Sequence, residues 1–143
     1  MLQRVPRRTW RSPSADTGRP RVLIEDGHQA LAISDFSLFE QAGLDIAFCL
    51  GPGEDPPACP LLRGEPCPLL ARADAVLHCL DPALGIAAAI RRQHPGLPVV
   101  VERCGRPGGH QPPAPEGCTP LPYPCSVTGQ IDAVWRALAD RRR

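Results

Sequence analysis

The sequence predicts an α/β domain built on a doubly wound, five-stranded parallel sheet. Three observations point there. Short apolar runs recur along the chain, helical patterns lie between several of them, and the connections are short. The first run, Val22-Leu23-Ile24, is continuously apolar and rich in β-branching, as in a strand buried on both faces.

The elements follow in order. Strands are expected at 21–25, 45–50 (Asp-Ile-Ala-Phe-Cys-Leu), 74–80 (Asp-Ala-Val-Leu-His-Cys-Leu), 98–102 (Pro-Val-Val-Val-Glu) and, more weakly marked, 118–123. A first helix over 28–43 carries Ala32, Phe36, Phe39 and Gly43 on one face. A small-residue helix over 83–93 stops before His94-Pro95-Gly96. The last helix follows Ser126, an expected N-cap, with Val127, Ile131, Val134, Trp135 and Leu138 as its apolar stripe.

Two crossovers break the pattern. Residues 51–68 hold six Pro, three Gly and two Cys, which excludes a full helix and leaves a turn or two over Leu69 to Ala73. Residues 104–117 are equally rich in Pro and Gly and form no regular helix. There is no internal repeat.

With 143 residues the chain suits one domain, here 21–143, after a basic segment 1–20 read as a disordered tail. That segment has no apolar periodicity, and its Arg residues with Trp10 are expected to be solvated rather than to grip nucleic acid or acidic lipid. The net charge of +1 gives no general pull towards polyanions. No stretch has the length of a membrane span or the apolar core of a signal peptide, so the expected address is the cytoplasm. All 16 basic residues are Arg, so no step that needs a Lys ammonium is open to this chain. Seven Cys without a secretory signal point to thiols rather than a disulfide framework.

Glu25 and Asp26 close the first strand at its carboxyl end, where open α/β sheets place their sites. Two adjacent carboxylates require a cation, an Arg or a proton between them. The element order, with Val22–Asp26, Asp74–Pro82 and Pro122–Ile131, resembles the receiver domain of bacterial response regulators. The resemblance spans about residues 21–140 and implies a flavodoxin-like three-layer sandwich of strand order 2-1-3-4-5. It also implies a magnesium-binding acidic pair at Glu25 and Asp26. Carried over residue by residue, the phosphoacceptor position falls on Cys79, with Asp81 two residues later as the nearest carboxylate. The hydroxyl position falls near Arg103 and the Lys position on Tyr123. Phosphoryl transfer depends on positioned cations and donors, so these three replacements put ordinary phosphorylation in doubt.

Two readings of the acids remain. Glu25, Asp26 and Asp81 can form a divalent-cation pocket for magnesium, or Arg103 can serve as the permanent counter-ion of the pair. The cysteines open a second line. Cys49, Cys59, Cys67, Cys79, Cys104 and Cys125 all fall near the carboxyl ends of strands, and Cys-Pro-Leu-Leu occurs twice in one loop, at Cys59 and Cys67. A thiolate-bound metal would order that loop. Against it stand the absence of a Cys-x-x-Cys pair and the ordinary burial of Cys in cores. His28, His78 and His110 have no partner at metal spacing.

The functional expectation is a stand-alone, non-enzymatic, phosphorylation-independent signalling module that contacts a protein partner around Tyr123 and Trp135. A homodimer is compatible with it; nucleic acid and membrane are not the expected partners. The alternative is a metal, iron–sulfur or thiol-redox sensor using Cys49, Cys59 and Cys67.

Overall fold

The computed structural model describes residues 10, 18–27, 29–52, 59–102, 113–122 and 125–141. Among these, five strands form one parallel sheet: β1 (Arg21–Glu25), β2 (Asp45–Cys49), β3 (Ala75–His78), β4 (Val99–Glu102) and β5 (Thr119–Leu121). Their spatial order is β2-β1-β3-β4-β5, as expected. Three α-helices accompany them in the described residues: α1 (Gln29–Gln41), α2 (Ile86–Gln93) and α3 (Val127–Arg141).

Alternation along the strands divides the core into two layers. Val22, Ile24, Ile46, Phe48, Ala75, Leu77 and Val100 face α1 and α3, and Phe39, Val134 and Leu138 cover them. Leu23, Ala47, Val76, Val99 and Val101 face the other way, beneath α2. Burying apolar groups on both faces is what the continuous apolar strands require.

The ends of the helices have local causes. α1 stops where Gly43 adopts φ 92°, with Gly43 N–H donating to Glu40 O and Leu44 N–H to Phe39 O. This is the pattern of a Schellman cap, and Phe39 and Leu44 are both buried beside it. α2 begins at Ile86, three residues later than the periodicity suggested, because Pro82 opens a separate 3₁₀ turn that Gly85 closes in the left-handed region. Ser126 caps α3 as expected, its Oγ accepting from Gly129 N–H at 3.0 Å. β3 is shorter than its apolar run, so Cys79 and Leu80 lie just past its end.

The second crossover contains two 3₁₀ turns, Pro60–Arg63 and Leu70–Arg72, and no α-helix among its described residues. Each turn inserts one leucine, Leu61 or Leu70, into the layer beneath α2. Trp10 joins the same layer at 6 % exposure, and its indole N–H donates to Leu69 O at 3.3 Å. At this residue the basic segment is packed rather than solvated; positions 1–9 and 11–17 lie outside the described residues. In the fourth crossover, residues 113–118 are non-helical, and 103–112 lie outside the description.

Candidate functional site

The carboxyl ends of the central strands bring together the residues that carry chemistry. The parallel register places Cys49 beside Glu25 and Glu25 beside His78. Each lies two residues beyond a member of the layer under α2 (Ala47, Leu23 and Val76), so all three belong to that face. His78 and Glu25 are almost wholly buried, with His78 Nδ1 2.8 Å from Glu25 Oε1. The opposite ring nitrogen, Nε2, is buried and has no hydrogen-bond partner. A carboxylate removed from water needs such a partner; here an imidazole from the neighbouring strand supplies it. Arg103, the expected counter-ion, lies outside the described residues.

A second polar group sits on the face beneath α3. Cys79 follows Leu77 by two residues and Glu102 follows Val100 by two, which puts both on this side. Cys79 Sγ donates to Glu102 Oε2 at 3.4 Å, and the Gln130 side-chain amide donates to the same oxygen. Glu102 is 7 % exposed. Gln130 belongs to the first turn of α3, so this contact ties the start of the helix to the end of β4. Burial, with repulsion from Glu102, raises the Cys125 thiol above its ordinary pKa.

The three acids of the expected cation pocket do not converge. Glu25 is engaged by His78. Asp81 is exposed and caps its own 3₁₀ turn, accepting from Ala83 N–H at 2.9 Å. Asp26 is half-buried, and its backbone N–H donates to Cys49 O at 3.0 Å. Leu80 adds an apolar cover: a Cβ on Gly51 would lie 3.0 Å from its Cδ2, and Gly51 itself has φ 85°. Among the described residues no three His, Cys, Asp or Glu side chains are arranged to hold a metal ion. The acids as placed therefore do not fit a magnesium site.

The six described cysteines are free thiols. They divide between the two faces rather than gathering on one side. Cys49, Cys59, Cys67 and Cys118 pack against the layer under α2, and Cys79 packs against the other. Burial pushes the Cys49 thiol up, a backbone hydrogen bond at Gly51 opposes it, and Glu25, Cys67 and Cys59 add to the rise. Burial also raises Cys118, with Arg91 opposing. Cys104, Tyr123, His28 and His110 lie outside the described residues. Trp135, expected on a contact face with Tyr123, is half-buried and lies across Gly43 at the end of α1.

Sequence reading missed both polar groups. The only available signals were parity: Glu25 and His78 each end an apolar strand at the same level, and Gln130 lies one helical turn after the N-cap Ser126.

No protein-family profile matches the sequence. No curated protein matches it either. Solved structures do. The signal receiver domain of an HD domain-containing protein from Pseudomonas fluorescens Pf-5 superposes with a TM-score of 0.62 at 16 % identity, covering 87 % of this chain and 98 % of that one. A CheY-like response regulator receiver domain protein from Methanospirillum hungatei JF-1 gives 0.60 at 14 % identity, covering 87 % and 97 %. A putative pilus assembly-related protein from Burkholderia pseudomallei K96243 gives 0.59 at 18 % identity, covering 90 % and 96 %. The chain thus has the receiver fold over most of its length, with the flavodoxin-like strand order expected from its sequence.

Proposed function

We propose that this receiver fold serves as a signal-transduction module that works by protein contact and without aspartyl phosphorylation. The observation that carries the reading is Cys79, at the acceptor position, with its thiol bound to the buried carboxylate of Glu102. A phosphoryl group arriving there would meet a fixed anion instead of the cations that phosphoryl transfer needs. The sequence has no Lys to offset that charge, and Leu80 covers the neighbouring strand ends. Glu25 is hydrogen-bonded within the fold to His78, which supports a reading without a metal between the acids.

The reading assigns the chain no turnover. The cytoplasm is its proposed address, consistent with the absence from the described residues of any helix long and apolar enough to cross a membrane. Its partner is a protein. The exposed residues Thr119 and Pro120 of β5, with the outward side of α3, offer the surface.

Incubation with a small phosphodonor and magnesium, followed by intact-mass analysis, tests the proposal. The expected mass is unchanged. A stable single-phosphoryl adduct that disappears in Asp81→Asn would overturn it, because Asp81 would then have left its cap to act as acceptor.

A further inference from the structure

Beneath α3 the sheet carries a nucleophile and a base in direct contact. Cys79 is half-buried just past the end of β3, and its thiol donates to Glu102 Oε2 at 3.4 Å. Glu102 closes β4 at 7 % exposure, and the Gln130 side-chain amide holds the same oxygen from the first turn of α3. Among the described residues no other thiol donates to a carboxylate. A thiol within hydrogen-bond reach of a base, with a third group fixing that base, is the arrangement that activates a nucleophile.

Charge decides which reagent can use it. A carboxylate fixed beside the sulfur repels anionic reagents in a layer that screens little, and it leaves a neutral one unopposed. The product also suits its surroundings. A sulfenic acid carries an added hydroxyl that needs an acceptor, and Glu102 lies beside the sulfur to provide it.

We propose that Cys79 is a hydroperoxide-sensitive thiol with Glu102 as its proton acceptor, and that oxidation to the sulfenic acid loosens the Gln130 tether of α3. The Cys79 sulfur attacks the terminal oxygen of a neutral hydroperoxide while its own proton passes to Glu102. An S–O bond forms, the O–O bond breaks, and the peroxide's hydrogen stays on the oxygen now bound to sulfur. The sulfur loses two electrons to the departing oxygen. That oxygen takes the proton from Glu102 and leaves as water or alcohol, which restores the carboxylate. The new hydroxyl then competes with the Gln130 amide for Glu102 Oε2. The inference deepens the proposed function by naming its input, and it rests on that reading for what the oxidation signals.

The test treats the reduced full chain with one equivalent of hydrogen peroxide and dimedone, which traps sulfenic acids, followed by alkylation and trypsin. Cleavage after Arg72 and Arg91 gives the peptide 73–91, whose one thiol is Cys79 and which contains no Met. The expected result is a dimedone adduct on this peptide, lost in Cys79→Ser. Glu102→Gln should slow its formation on the order of a hundredfold. If that variant fails to fold, the pH profile of the unaltered chain decides. Proton transfer to the carboxylate gives a rate that is flat across neutral pH, whereas attack by a free thiolate rises about tenfold per pH unit up to about 8.5. Without dimedone, hydrogen exchange in the first turn of α3 should quicken on oxidation and recover with dithiothreitol.

An unmodified Cys79, or an adduct spread evenly over the seven cysteines, would overturn the proposal. So would a disulfide to Cys79 in place of the sulfenic acid, a Glu102→Gln variant that reacts as fast, or unchanged exchange in α3. Failure here is distinguishable from failure of the signalling reading. An inert thiol leaves the phosphodonor result untouched, and a phosphoryl adduct on Asp81 leaves the chemistry of Cys79 standing.

Discussion

His78 and Glu25 occupy the same level of adjacent parallel strands and share a hydrogen bond of 2.8 Å in a nearly water-free layer. Removing either partner strands the other in an apolar setting, which costs more than the bond itself contributes. Glu25→Ala and His78→Ala are each expected to destabilise the fold by about 3 kcal/mol. Replacing both by leucine should restore most of that loss. Urea denaturation of the two single variants and the double variant checks this; additive losses would show that the pair is not coupled.

Gln130 is the only described side chain of α3 hydrogen-bonded to a strand carboxylate. Gln130→Ala leaves Glu102 with the weak Cys79 thiol as its remaining side-chain donor among the described residues. A loss of about 2 kcal/mol is expected, the range for a hydrogen bond to a charged group. Hydrogen exchange should show it first as fraying of the first turn of α3, before any change in α1.

Alkaline pH should weaken the fold through Cys49. Its folded pKa is raised by burial above the unfolded one, so the neutral thiol favours the native state. That contribution is complete below the unfolded thiol value of about 8.5 and is lost as pH climbs through the folded pKa. Cys118 and Cys125 shift in the same direction and add to the slope. Denaturation midpoints compared at neutral and alkaline pH should fall, and Cys49→Ser should flatten part of the decline.

Trp10→Ala should cost about 3 kcal/mol, as for other buried aromatic truncations. The emission of the variant would then come from Trp135 alone, the other Trp in the chain. A solvated Trp10 would instead give an unchanged midpoint and a red-shifted component that disappears on substitution.

The sheet was legible because parallel strands buried on both faces must read as apolar runs. Val22–Ile24 and Val99–Val101 can hardly be read otherwise. The start of α3 was legible because Ser126 is a capping residue type, whereas Gly43, read as part of the first helix's face, is the residue that ends it. The site was much less so. Glu25 and His78 lie 53 positions apart and meet only through register, which no local pattern encodes. Asp81 looked like a ligand because of its place after β3, yet its side chain is taken by its own turn. Trp10 was hidden for a related reason: a single aromatic among arginines and prolines has no periodicity to mark it, and its burial depends on a groove made elsewhere.

That groove sets the order in which the chain can be completed. Trp10 is synthesised before Leu61, Leu70 and Ile86 of the layer it joins. During translation the indole must wait in solvent until the crossover and α2 have left the ribosome. Its docking is then a late event, closing a long loop after the sheet has begun to form. A substitution or insertion close to Trp10 would therefore act on the final stage of maturation, even though it adds nothing near the strands.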